Sequence, residues 1–265
     1  MRSIIFAVTV TVLIAAAAQP AAAEAPLPHG PDPDSWHFSL GVYAWVPGID
    51  GSLSGGRDGG ARVESDVSMD LSDAIDGWGA GTLHAEVGRG PLTFFGDVLY
   101  VSLQADGETP SGGEANVDLS ALIIELGVTY EVIRTPVWGT TTRHFTAEVL
   151  GGARYAGVEV EVDAFPAGGG QLSADGREDW IDPFVGLRAR LDLTDNLYVL
   201  GRGDVGGFGV GSDFVWNANL AVGFAITKNI DIAGGYRWLD YDFEEGDFTL
   251  DLQFAGPWIG IFFKF

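Results

Sequence analysis

The sequence contains no cysteine, and only 14 of its 265 residues are Lys or Arg. The first absence excludes a disulfide framework, a thiolate metal site and a lipid-bearing N-terminal cysteine. The second, set against 37 Asp and Glu, gives a formal net charge of -23. Such a chain would meet nucleic acid as one polyanion meets another, so no nucleic-acid partner is expected. Only four histidines are present, His29, His37, His84 and His144, which leaves little imidazole chemistry. Beyond residue 23 no apolar run reaches the ~18 residues of a membrane-crossing helix.

Yet 46% of the residues are hydrophobic and the mean hydropathy is +0.17. Strong charge and high apolarity in one chain must be segregated. At the N-terminus, Arg2 precedes an apolar run from Ile4 to Ala18 and the small residues Ala21-Ala22-Ala23. That order predicts a secretory signal peptide over 1–23, cleaved before Glu24. Residues 24–35, with Pro26, Pro28, Pro31 and Pro33, read as an extended periplasmic lead-in.

From residue 36 onward the pattern has a period of two. Asp182, Phe184, Gly186, Arg188, Arg190 and Asp192 alternate with Pro183, Val185, Leu187, Ala189 and Leu191. The same alternation runs through 122–132, 216–226 and 230–238. It marks strands with one oily and one polar face. A soluble sandwich would turn the oily face to a second sheet; a transmembrane barrel would turn it to lipid. Three features favour the barrel. Many segments exceed the ~9–11 residues a tilted membrane strand requires. Charge, arginine included, sits mid-strand on the polar face. Trp36, Trp45, Tyr100, Tyr130, Trp138, Tyr155, Trp180, Tyr198, Trp216, Trp238 and Tyr241 fall near strand ends, where girdles at a water–lipid boundary would lie.

The segment GPWIGIFFKF at 256–265 fits the same picture. Ile259, Ile261, Phe263 and Phe265 share one face, and the last strand is expected to pair with the first to close the barrel. Leu250, Leu252 and Phe254 are out of phase with them, which predicts a bulge near 255–257.

Short polar turns at 88–91, 194–196 and 227–229 set the count. They predict an all-β, transmembrane, antiparallel up-and-down β-barrel of about ten strands, with eight or twelve as alternatives. The strands are expected near 36–47, 78–88, 92–105, 117–133, 143–160, 179–193, 197–210, 214–226, 230–242 and 248–265. The outer segment 48–77 is expected to hold an extra hairpin between Ser52 and Ser68, then one helical turn over 71–76.

Several stretches resemble a large group of poorly characterised bacterial outer-membrane β-barrel proteins, called porin-like for their shape. They are GVYAWVPGIDGSLS at 41–54, FFGDVLYVSL at 94–103, DWIDPFVGLRARLDL at 179–193, GRGDVGGFGVGSDFVW at 201–216 and GYRWLDYDF at 235–243. The tail, ending in Phe265, is similar to the C-terminal insertion signal of such barrels. The resemblance implies the bacterial cell outer membrane as location, outer-membrane lipid and lipopolysaccharide as surroundings, and recognition by the outer-membrane assembly machinery. It brings no catalytic residues with it.

Projected inward, the polar faces give a charged lumen: His84, Glu86, Asp97, Glu125, Glu148, Arg154, Asp182, Arg188, Arg190, Arg202, Asp204, Asp231 and Arg237. Arginine belongs to the later strands and acids to both walls. Either Arg–carboxylate pairs fill the bore, or the two walls set a transverse field across a channel for small polar solutes. A structural or porin-like barrel is therefore the first functional reading. The alternative is a surface interaction protein acting through acidic outer loops. A barrel enzyme centred on His84, with Glu86 beside it, is a third, but no serine is forced next to the ring. No enzyme activity, metal or cofactor is expected. The glycine-rich stretch 201–214 is followed by strand, not the helix a phosphate loop needs, and no loop has the EF-hand spacing.

Overall fold

A computed structural model describes residues 35–55, 63–69, 79–108, 114–165, 172–245 and 248–265. The expected signal peptide, nearly all of the lead-in and the helical turn at 71–76 lie outside the described residues.

Among the described residues, twelve strands form one antiparallel sheet: β1 (Trp36–Trp45), β2 (Gly48–Gly55), β3 (Val63–Met69), β4 (Gly79–Arg89), β5 (Leu92–Glu108), β6 (Glu114–Pro136), β7 (His144–Phe165), β8 (Leu172–Asp192), β9 (Leu197–Gly207), β10 (Phe214–Ala225), β11 (Ile230–Glu245) and β12 (Phe248–Lys264). Ten of them, β1 and β4 to β12, close a barrel in which neighbours in sequence are neighbours in space. Closure runs from Ser39 opposite Lys264 to Trp45 opposite Trp258. Phe38 and Phe265 exchange backbone hydrogen bonds at 3.2 and 2.9 Å, so the chain end is pinned. A closed ladder leaves no edge whose N–H and C=O groups lack partners, which strands in hydrocarbon require.

At one end the connections are tight. Thr194 Oγ1 accepts from the Leu197 N–H at 2.9 Å, a local hydroxyl turn that reverses the chain in three residues. Gly90, at φ 60°, does the same between β4 and β5. We call this the turn end. The opposite, loop end is uneven. β5 to β8 and β11–β12 rise well beyond the short β9–β10 hairpin. β2 takes over from β1 along the upper half of β12, Gly48 opposite Ala255, and carries β3 on its other edge. The extra hairpin between Ser52 and Ser68 is thus part of the sheet, stacked above the barrel seam.

Three expectations change. β12 has no bulge at 255–257: its register with β11 is unbroken from Phe263 to Phe248. The one register shift among these pairings lies instead between Glu131 and Ile133 of β6. β9 ends at Gly207, whose φ of 84° begins the turn, rather than at residue 210. And four of the expected girdle aromatics are not on the outside. Trp45, Trp180, Tyr198 and Tyr241 are buried within the barrel.

The change of phase in β12 has a different cause from a bulge. Along the lower barrel, outward side chains are apolar: Leu126, Leu187 and Ile259 are each more than three-fifths exposed. One layer higher the outside turns polar. Ile181, Trp238 and Ala255 give way to Asp179, Asp240 and Gln253, and Tyr155 to Gly157 and then Glu159. In that same layer the inside turns apolar. Asp97, Glu125, Asp182 and Arg237 give way to Leu99, Ile123, Trp180 and Leu239. Even-numbered residues of β12 face inward throughout; the chemistry that switches is that of the outward, odd-numbered ones, from Ile261 and Ile259 to Gln253 and Asp251.

Candidate functional site

The interior has three storeys. The lowest is a cup of about 800 Å³ opening among the turns Gly90-Pro91 and Thr227-Lys228-Asn229. Its lower wall is laced by charge pairs. Arg190 Nε donates to Asp192 at 2.9 Å, and its guanidinium lies 3.6 Å over the Tyr198 ring. The Tyr198 hydroxyl donates to Asp231, which also pairs with Lys264 at 2.7 Å. Higher up, Arg188 donates to Glu148 on the adjacent strand at 2.6 Å and to Glu86 on β4, across the bore. His84 sits between Glu86 at 3.2 Å and Asp97 at 3.1 Å.

The second storey is an ionic floor. Glu125 receives Arg154 at 3.1 Å, Arg202 at 2.7 Å and Arg237 at 2.8 Å. Asp204 receives Arg154 at 2.7 Å, Arg202 at 2.9 Å and the Asn217 amide at 2.8 Å. Asn217 in turn accepts from Arg237 at 2.9 Å, and the Tyr43 hydroxyl donates to Asp97 at 2.8 Å. The period-two pattern puts these groups on seven strands at matching heights, so each arginine fork meets two acceptors. Charges this deep are tolerated because each has several partners. Arg154, Glu125 and Asp204 are almost wholly withdrawn from solvent.

The third storey is an apolar plug. Trp45, Leu99, Val215, Leu239, Leu252 and Phe254 pack together with essentially no solvent contact. Trp45 donates its indole N–H to the Gly256 carbonyl at 3.1 Å. Trp180 of β8 stacks on Phe243 of β11 at 4.7 Å, reaching over the low β9–β10 tip. Asp182 holds that tip, accepting from the Ser212 N–H at 2.7 Å and from the Trp180 indole at 3.0 Å.

The thirteen charged positions named for the lumen divide among the storeys. Glu86, Glu148, Arg188, Arg190 and Asp231 line the cup; His84 and Asp97 lead down to the floor; Glu125, Arg154, Arg202, Asp204 and Arg237 make it; Asp182 belongs to the plug. Of the two alternatives for the lumen, paired side chains or a transverse field, the geometry fits the pairing. Arginine does sit on the later strands, yet the pairs touch across the bore and neutralise each other locally. Both nitrogens of His84 face carboxylate oxygens, and no hydroxyl is bonded to the ring among the described residues. Of the tail residues, Ile259 and Phe265 are strongly exposed on the outer face. Among the described residues no His, Cys, Asp and Glu group has the arrangement to hold a metal ion.

Sequence reasoning missed Tyr43, Asn217 and the plug. Asn217 lay on the inward face of its strand, but only charged residues were projected. The plug was hidden because an inward apolar residue and an outward one look alike unless the boundary layer is located first.

No family model matches the chain, and no curated protein matches it. Solved structures with a similar build include the translocator domain of autotransporter NalP from Neisseria meningitidis, at 11% identity and a TM-score of 0.39, covering 88% of this chain and 89% of that one. Ail, the attachment invasion locus protein of Yersinia pestis, is similar at 10% identity and a TM-score of 0.34, over 86% of this chain and 98% of its own. The Pseudomonas putida toluene transporter TodX is similar at 10% identity and a TM-score of 0.31, over 88% and 90%. The architecture itself rests on the strand pairing described above.

Proposed function

We propose that this protein is a bacterial outer-membrane barrel, porin-like in build, that serves as a closed scaffold. Its cup faces the periplasm and its plugged, acidic end faces outward. The double inversion carries this reading. Where the outside is apolar, along β6 from Leu122 to Val132, the run matches the ~9–11 residues of a tilted membrane strand. Where the outside becomes acidic, the inside acquires a core like that of a soluble protein. A wall with lipid outside is free to be polar within; a wall with water outside must bury its apolar face inward. Short turns at the cup end match the periplasmic side of such barrels.

Solute passage would require the plug to part, and Val215 and Leu239 have no solvent contact at all. The test is single-channel recording on refolded protein in planar bilayers. Silence at all voltages is expected; steady conductance would overturn the closed reading.

A second reading, surface interaction, is favoured by the outer girdle of exposed Glu159, Glu161, Asp179, Asp242 and Asp251. It is compatible with the closed scaffold. Catalysis at His84 gains no support, since both ring nitrogens face carboxylates and no hydroxyl is bonded to the ring among the described residues.

A further inference from the structure

We infer that the cup is a binding site for an uncharged amphipathic small molecule, one with an apolar ring face and hydroxyl or amide groups along its edge. The cup's periplasmic exposure rests on the orientation argued above; the binding does not.

Four observations converge. The first is that the cup is unfilled. A plug-only barrel would continue its packing down to the mouth, yet β10 and β11 place Ala221, Ala225 and Ala233 inward. The resulting volume of about 800 Å³ is of the order of known small-molecule sites, ~300–1,000 Å³. The second is charge. Arg134 pairs with Glu131, Arg188 with Glu86 and Glu148, Arg190 with Asp192, and Lys264 with Asp231. Apart from the groups bonded into the floor, only Lys228, in the turn at the mouth, is a charged lining side chain outside these pairs among the described residues; a net anion or cation held deeper in the cup would have to break one of them, at the cost of stranding the other half.

The third observation is unspent hydrogen-bonding capacity. His37 Nδ1, His144 Nδ1 and Thr129 Oγ1 are buried without a partner, and all three residues line the cup. Thr129 is only 1% exposed. These atoms lie just beneath the surface of the cup, so a neutral hydroxyl or amide would meet them as the wall adjusts, relieving a costly unmet group without importing charge. The fourth is a rigid aromatic face. Tyr43, Trp258 and Phe262 meet edge to face at 5.7 and 6.3 Å, and the Trp258 indole N–H is fixed by Asn219 at 2.9 Å. Rings already held in place lose little freedom when a ligand ring is laid against them.

The test uses the full chain refolded in lauryldimethylamine oxide, whose headgroup carries no sugar. The probes are 4-nitrophenyl β-D-glucoside and 4-nitrophenyl phosphate, followed by equilibrium dialysis. Saturable one-to-one binding of the glucoside, at least about tenfold tighter than the phosphate, is expected. Ala233→Trp, which fills the cup, should weaken glucoside binding at least tenfold while keeping the heat-modifiable gel band. If that variant does not fold, Ala225→Leu nearer the mouth carries the same expectation. Non-saturable partitioning, equal or tighter binding of the phosphate, or binding unchanged in a folded cup-filling variant overturns the inference. A conducting barrel that still binds the glucoside overturns only the closed reading; a silent barrel that does not bind it overturns only this one.

Discussion

The lower and upper halves of this barrel share strands, register and pleat, yet they are held together by different forces. Below the layer of Tyr155, Ile181 and Trp238, hydrocarbon outside leaves no hydrophobic drive to pack the inside, because a leucine gains little by leaving lipid for protein. Polar groups do the work there instead. Glu125, Asp204 and their three arginines cross-link the wall through charge-assisted hydrogen bonds. Above that layer water returns outside, apolar burial regains its value, and Trp45, Leu239 and Leu252 form a core of the soluble kind. One continuous strand such as β11, with Asp231 and Arg237 inward below and Leu239 and Phe243 inward above, therefore carries two opposite binary patterns end to end, without any irregularity in its register.

The strongest way to break the comparison is to remove the hub of the ionic floor. Glu125→Leu takes an acid partner from three guanidinium groups at once. Breaking a buried pair from one side typically costs ~3–5 kcal/mol. The variant should lose at least that much stability in urea titrations of refolded protein in vesicles, or fail to give the heat-modifiable band. If the floor were incidental to stability, the substitution would be nearly silent.

The comparison sharpens on the outer surface, where one chemical change should have two outcomes. Leu126→Lys puts a charge in the middle of the apolar band, at a cost of ~2–4 kcal/mol for a lipid-facing midplane site. Asp251→Lys, on the outward face of β12 above the boundary, should fall within ~0.5 kcal/mol of the parent, as surface substitutions usually do. Equal costs at the two sites would mean that the boundary layer is misplaced.

Much of this was readable in the residues. The ten barrel strands follow from alternation and turn chemistry, because both are local: Thr194 and Gly90 act on their own neighbours, and each side chain's facing is set by the pleat. The thirteen charged positions named for the lumen come from the same parity. What alternation could not supply was height. It says that Leu252 and Ile259 lie on opposite faces, not that one faces protein and the other lipid. With the outer surface assumed to be apolar along its whole length, Leu252 and Phe254 demanded a bulge, and Trp45 and Trp180 passed for girdle residues. Nor could parity show that Arg188 reaches Glu86, since the pairing depends on the bore's width, which strand number and stagger decide together.

The smallest expected effect comes from an ion pair at the rim of the cup. Arg134 makes three contacts of 2.6 to 3.0 Å with Glu131, the same chemistry as the floor and with geometry at least as good. It differs in surroundings. The Arg134 side chain is about a third open to water and has a single acid partner among the described residues, whereas Arg154 is fully enclosed and has two. Water screens an exposed pair and solvates either partner when the other is removed, so such bridges are worth ~0–1 kcal/mol. Arg134→Gln should therefore shift the urea midpoint by a small fraction of the Glu125→Leu shift. A comparable shift would show that the rim is as dry as the floor, and the cup would then have to be drawn as a sealed cavity rather than an open one.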